Sequence, residues 1–197
     1  MKPTEIPNIL TGLIQQLHDQ HCSCVILQGN RMRSFHNRGI ADLYQLYKHE
    51  SDFMSGAAIA DKVIGKGAAA LLVLGDFKLV YADVISQSAY SLLQDANIET
   101  HYGKIVDHIE NRSKTGWCPV ESRCLNETTP EGCLKQIELF INQTNNEKNS
   151  YSMKTTEVKL YSLNYSEIRT YLFGLLFVAG NIILPQCCHL IPQGGLT

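Results

Sequence analysis

The sequence predicts an α/β protein, a three-layer α/β/α sandwich with a mixed sheet and an additional hydrophobic helix at the C-terminal end. Strand-like apolar runs alternate with helix-like segments along most of the chain, and a predicted hairpin precedes them. Strands separated by helices usually pair in parallel, whereas a hairpin adds antiparallel strands to the sheet. The 197 residues are 44% apolar and 18% charged, which is sufficient for a globular core.

The N-terminal part predicts a helix, a hairpin and a short helix. Apolar side chains recur at helical spacing over residues 7–19, as in an amphipathic helix. Residues 24–27 and 32–35 are short runs separated by turn-forming residues around Gly29, which is typical of a β-hairpin. Residues 42–47 then predict a short helix with its leucines on the buried side.

The central part predicts the alternating elements of the sandwich. Residues 61–74 are rich in alanine and leucine and predict a helix with Asp61 at or near its start. Residues 79–85 form a nearly continuous β-branched apolar run, as in a buried strand, and Ser86 is the expected N-cap of the next helix. The remaining helix, strand and final helix are expected at residues 89–95, 98–102 and 130–141, the last with Thr129 as its cap.

Composition divides the chain into three parts. Residues 1–141 form the α/β domain, and residues 142–160 are polar and predict a linker. Residues 161–197 carry no charge after Arg169 and are apolar over much of their length. We expect this segment to cross a membrane, with the basic residues before it keeping the main domain cytoplasmic. A buried core helix remains the alternative because polar residues interrupt the run.

Charge and composition exclude some functions. The formal net charge of −2 and the absence of a basic, aromatic-rich run argue against nucleic-acid binding. The N-terminus lacks the apolar run of a secretory signal, so we expect a cytoplasmic domain whose cysteines are thiols. A homodimer remains open.

Five separate sequence blocks carry a family resemblance. They lie at residues 23–25, 39–44, 60–70, 81–86 and 116–119, the last being Gly116-Trp117-Cys118-Pro119. From about residue 22 to 141 the chain resembles the bacterial and archaeal family called domain of unknown function 1893. The resemblance implies a cytidine-deaminase-like α/β/α fold, which agrees with the element order. Residues 173–185 are similar to the first membrane helix of vitamin-type transporter substrate-binding components, so we expect a truncated or split fusion.

The resemblance also shows a departure from zinc deaminases. Those enzymes carry His-x-Glu or Cys-x-Glu at the start of one core helix and Pro-Cys-x-x-Cys at the next. The corresponding positions here are Asp61-Lys62-Val63 and Ser86-Gln87-Ser88. We therefore expect no zinc-dependent deamination and assign no metal or cofactor. A zinc set of Cys118, Cys124 and Cys133 with His101 or His108 lacks the usual knuckle spacing and is not adopted.

Cys118 is the leading catalytic candidate. It lies between Trp117 and Pro119, where a rigid loop can fix the direction of its sulfur for nucleophilic attack or sulfur transfer. A small buried thiol that packs beside the tryptophan is the alternative. Asp61 is a second catalytic candidate, with a simple helix cap as its alternative.

We expect these residues to surround a small-molecule site, with a nucleobase-like or nucleotide-like metabolite as the ligand. The expected binding residues lie near the carboxyl ends of the strands or in the tryptophan loop, and they are Lys62, Lys66, Asp83, Ser86 and Trp117. Two other functions remain open. One is an enzyme with Cys118 as nucleophile, and the other is a non-catalytic regulatory or interaction domain attached to a membrane transporter component.

Overall fold

The computed structural model describes residues 6–37 and 39–161, with side chains through residue 146. The described residues up to Thr144 form one compact unit, and those from Asn145 to Tyr161 belong to a second. The strands of the described part are β1 (Cys24–Gln28), β2 (Arg31–Phe35), β3 (Ala58–Ile64), β4 (Leu79–Ser86) and β5 (Glu99–Val106). Its helices are α1 (Asn8–Asp19), α2 (Ala41–His49), α3 (Ser51–Met54), α4 (Lys66–Leu74), α5 (Gln87–Asp95), α6 (Pro119–Cys124) and α7 (Pro130–Tyr161).

The five strands form one mixed sheet in the order β2-β1-β3-β4-β5. Strand β1 is antiparallel to both β2 and β3, whereas β3, β4 and β5 run parallel to one another. The mixed α/β class and the hairpin are therefore confirmed. Each parallel pair is connected through a helix, because α4 follows β3 and α5 follows β4.

Strand β3 corrects the helix predicted for residues 61–74. Its β-branched residues Ile59, Val63 and Ile64 suit a central strand between β1 and β4, and helix α4 begins only at Lys66. The alanine-rich run after Gly65 is helical, but the prediction extended it backwards into the strand. Asp61 therefore lies within a strand and caps no helix, and its neighbour Lys62 lies in the same strand.

Two hydrophobic clusters form on the sheet, separated by the alternation of strand side chains. Three leucines of α1 pack with Ala58 and Ala60 in one cluster. Ile59, between those alanines, belongs to the larger cluster with residues of α4, α5 and α7. Successive residues of β3 thus pack against helices on the two opposite faces of the sheet.

The local sequence predicts where helices begin better than it predicts how many helices there are or how long they run. Ser86 caps α5, and the Thr129 hydroxyl accepts a hydrogen bond from the Gly132 N–H at 3.1 Å, as both cap predictions require. Helices α3 and α6 were not predicted. Helix α7 continues to Tyr161, through the segment that was expected to be a polar linker.

The predicted membrane segment falls almost entirely outside the described residues, at 162–197. Within the described ranges, every helix is too short or too polar to cross a bilayer.

Candidate functional site

The carboxyl ends of β3 and β4 lie at one edge of the sheet because these strands are parallel. Helices α4 and α5 begin at that edge, at Lys66 and Gln87. Crevices at the carboxyl ends of strands are the usual ligand sites of open α/β sheets. The two helix starts therefore define the first part of the candidate site.

Ser86 is buried at the second of these helix starts. Its hydroxyl oxygen accepts a hydrogen bond from the Ala89 N–H at 3.2 Å, so the predicted N-cap role is confirmed. The same oxygen lies 3.2 Å from the hydroxyl of Ser88. Ser86 is thus part of a short chain of hydroxyl groups.

Glu121 connects the two helix starts, and the sequence did not predict it. Its carboxylate accepts a hydrogen bond from the backbone N–H of Lys66 at 2.6 Å and another from the Ser88 hydroxyl at 3.0 Å. The residue is only 2% exposed. A buried carboxylate is stabilised by hydrogen bonds to its charge and by the positive ends of helix dipoles.

Two glycines leave room for α6 against the start of α4. A Cβ added at Gly65 would overlap the Glu121 carboxylate, and one at Gly67 would overlap the Val120 side chain. Lys66 donates from its ammonium group to the Leu125 carbonyl at 2.8 Å, just beyond the end of α6. Lys66, predicted as a ligand-binding residue, therefore holds α6 through its backbone and its side chain.

Asp61 and Asp83 lie in the neighbouring strands β3 and β4, and each has its own polar contact. Asp61 Oδ1 accepts a hydrogen bond from the Val63 N–H at 2.9 Å. Burial, together with the nearby Asp83 charge, raises the pKa of Asp61 to about 7. Asp83 Oδ1 lies 3.2 Å from His18 Nε2 of helix α1. Burial and the Asp83 carboxylate also raise the pKa of Tyr81.

These contacts divide the predicted crevice into two groups. Lys66 is connected to Ser86 through Glu121 and Ser88, whereas Asp61 and Asp83 contact Val63 and His18 instead. Lys62 lies beside Asp61 in β3, where its backbone N–H donates to the Ser23 carbonyl at 3.1 Å.

The loop that follows β5 presents Trp117 and Cys118. Trp117 pairs with Glu110 in a β-bridge, and the Cys118 N–H donates to the Ile109 carbonyl at 2.8 Å. The Trp117 ring stacks on His108, with centroids 4.2 Å apart and planes 5° apart, yet Trp117 remains 41% exposed. Cys118 is half-buried at the position before the first residue of α6. Its nucleophilic role stays a prediction.

Cys124 and Cys133 are buried next to each other between α6 and α7. The Cys124 thiol points toward the Cys133 carbonyl oxygen at 3.8 Å. A hydrogen bond to Cys133 and burial raise the pKa of Cys124 far above its ordinary value. A buried thiol held neutral in this way is a core side chain. Among the cysteines whose side chains are described, Cys118 is the most accessible.

The donor set at the helix starts does not fit the zinc of a deaminase. That metal needs three His or Cys ligands and a separate glutamate. Here Lys66 offers an N–H and Ser88 a hydroxyl, both already bonded to the carboxylate of Glu121. In residues 6–37 and 39–146, no group of three or more His, Cys, Asp or Glu side chains is arranged to hold a metal ion.

Glu121 could have been anticipated only in part. Pro119 at the first turn marks the start of α6, and an acidic residue in a first turn is favourable. Its partners Lys66 and Ser88 belong to other helices, 55 and 33 positions away, and no local pattern reveals that pairing.

A family model described as "Domain of unknown function (DUF1893)" matches residues 12–141. The crystal structure of a DUF1893 family protein from Thermotoga maritima is similar with a TM-score of 0.62 and 19% identity, covering 73% of this chain and 95% of that one. At that identity the likeness shows the fold alone. No curated protein matches the chain. The family resemblance read from the sequence is therefore confirmed, and the chain belongs to the DUF1893 family.

Proposed function

We propose that this domain binds a small, flat, ring-shaped metabolite such as a nucleobase at the loop that carries Trp117 and Cys118. The observation that carries this proposal is the orientation of Trp117. Its ring is fixed by stacking on His108, yet 41% of the residue is left exposed. Aromatic rings held in this way stack on bases, with a contribution of roughly 1–3 kcal/mol per base.

The backbone of the loop supports a preorganised site. The backbone N–H of Asn111 donates to the carbonyl of Gly116, the residue before Trp117, at 2.8 Å. The backbone N–H of Cys118, the residue after Trp117, donates to the Ile109 carbonyl, also at 2.8 Å. Because both neighbours of Trp117 are fixed, binding a ligand there requires little additional ordering of the backbone.

Cys118 belongs to the same proposed site. It adjoins Trp117, is half-buried, and precedes Pro119, which restricts the backbone at the start of α6. We assign it as a contact to the ligand and as the nucleophile of any covalent step. Asp61 is kept as a separate candidate for proton transfer, because its raised pKa of about 7 suits that role near neutral pH. Its hydrogen bond joins it to Val63 of β3, outside this loop.

We relate the architecture to the cytidine-deaminase-like fold. Support comes from the mixed sheet, whose parallel strands β3 and β4 are each followed by a helix at the same edge. Because the donor set there does not fit zinc, we assign no hydrolytic deamination to this domain.

Isothermal titration calorimetry with a panel of nucleobases and nucleosides tests the proposal. We expect at least one member to bind the full chain, with binding weakened at least about tenfold by Trp117→Leu. Leu139→Ala is the matched control, because Leu139 is an exposed apolar residue of α7 (53%) away from the loop in sequence. Equal binding by wild type and Trp117→Leu contradicts the proposal.

A regulatory or interaction domain without chemistry is the second candidate. The Glu121 carboxylate favours it, because it fills the place where the helix starts would otherwise meet a ligand. This function predicts that Cys118→Ser and Asp61→Asn leave the domain's cellular role unchanged.

For the membrane attachment proposed for residues 161–197, we expect the cytoplasmic domain to sediment with membranes only when that segment is present.

A further inference from the structure

We infer that Glu121 is a built-in anion, which occupies the junction of the two helix starts and restricts the proposed ligand to uncharged molecules. The inference about the ligand rests on the proposed function. The inference about the carboxylate rests on the contacts of Glu121 alone.

The first support is the bonding of the carboxylate. One oxygen accepts from the Lys66 N–H at 2.6 Å and the other from the Ser88 hydroxyl at 3.0 Å. These donors belong to α4 and α5, which are nine residues each and present the positive ends of their dipoles at this edge. A single buried carboxylate therefore satisfies groups from both helices.

The second support is the shape of the backbone around it. Gly65 and Gly67 have no Cβ where one would overlap Glu121 and Val120. Lys66 holds the far end of α6 through its hydrogen bond to the Leu125 carbonyl. The start of α4 is thus fitted to α6, which delivers the carboxylate from a fixed position.

A consequence follows for the ligand. Trp117 and Cys118 immediately precede α6, whose first turn contains Glu121. A phosphate or carboxylate ligand that approached the helix starts would meet a negative charge that already accepts from Lys66 and Ser88. A neutral base or nucleoside meets no such repulsion. The proposed site therefore selects the nucleoside over its phosphorylated form.

Chemical rescue of Glu121→Ala tests the built-in anion. The variant leaves the Lys66 and Ser88 donors without their acceptor, and we expect its Tm to fall by at least about 5 °C. Added formate, compared with chloride at equal ionic strength, should restore at least half of that loss and leave the wild-type Tm unchanged. Formate that stabilises neither protein, or both equally, overturns the inference.

A second pair of variants covers the case in which Glu121→Ala does not fold. Glu121→Asp keeps the negative charge and Glu121→Asn removes it. The aspartate and asparagine side chains are the same size as each other, so the two variants differ mainly in charge. We expect the aspartate variant to have the higher Tm. An equal or higher Tm for the asparagine variant contradicts a role for the charge.

Ligand selection is measured separately by calorimetry with a nucleoside and its monophosphate. We expect wild type to bind the nucleoside at least about tenfold more tightly, and Glu121→Ala or Glu121→Asn to reduce that ratio. Equal affinities in wild type overturn the ligand restriction. If neither compound binds, the proposed function fails, whereas the formate result still decides the role of Glu121.

Discussion

Glu121 and Lys66 are joined by a 2.6 Å hydrogen bond between a side-chain carboxylate and a backbone N–H that lie 55 positions apart. This bond fixes the first turn of α6 on the start of α4. Helix α6 directly follows the loop that carries Trp117 and Cys118. The exposed tryptophan thus lies in a loop that leads directly into a helix held at the sheet edge by a buried acid.

Gly67→Ala should destabilise the domain, because the added Cβ would overlap the Val120 side chain of α6. We expect a loss of roughly 1–3 kcal/mol in the free energy of unfolding. Gly12→Ala is the matched control, since Gly12 lies in α1 with nothing within 4 Å of its Cβ position. That variant should be neutral or more stable by about 0.5–1 kcal/mol. Urea unfolding measures both, and equal effects contradict the close fit of α6 on α4.

Ser86→Ala should remove the cap of α5. The Ala89 N–H loses its acceptor, and we expect the free energy of unfolding to fall by ~1 kcal/mol. Ser91→Ala, at an exposed position of the same helix, is the control and should have little effect. Thermal unfolding of the two variants gives the comparison, and a neutral Ser86→Ala result contradicts the cap.

Asp61 should make stability depend on pH. Its pKa is 3.8 ordinarily and about 7 in the folded protein, so between these values the folded state holds a proton that the unfolded state has released. Stability therefore falls as pH rises from about 4 to about 7. Asp61→Asn keeps the acceptor for the Val63 N–H and should raise stability at about pH 8 by roughly 1–2 kcal/mol, with a smaller gain at about pH 5.

Denaturant unfolding of wild type and Asp61→Asn at both pH values measures this effect. Asp83→Asn provides a second arm, because removal of the neighbouring charge should lower the pKa of Asp61 and weaken the pH dependence. A gain from Asp61→Asn that is the same at both pH values contradicts the raised pKa.

Cys118 should react with thiol-directed reagents before the other cysteines whose side chains are described. It is half-buried, whereas Cys22, Cys24, Cys124 and Cys133 are buried. Burial also raises the pKa of Cys24, which lowers its thiolate fraction further. Peptide-resolved mass spectrometry after a short exposure gives the order of labelling. Similar rates for Cys118 and Cys22 are the outcome that rejects an accessible thiol.

Local signals predicted the parts of the fold that local physics determines. The hairpin, strand β4 and the Ser86 cap follow from short patterns of apolar, turn and hydroxyl residues. Strand β3 was missed because the alanines that follow Gly65 dominate the helix propensity of residues 61–74, while its strand state comes from pairing with β1 and β4.

The candidate site was predictable only where a residue acts alone. Trp117 and Cys118 could be selected as an unusual rigid loop, and Ser86 as a cap. Glu121 could not, because its partners are brought to it by the packing of α6 on α4 and α5. The same packing engages Lys66 in holding α6, and its ligand-binding role stays a prediction.

Native mass spectrometry of the full chain purified directly from cells tests the central claim, a small ring-shaped ligand held at Trp117. We predict a bound mass or a covalent adduct in wild type that is absent from Trp117→Leu and present in Leu139→Ala. The same bound mass in wild type and Trp117→Leu, or an unmodified mass in all three, would contradict it.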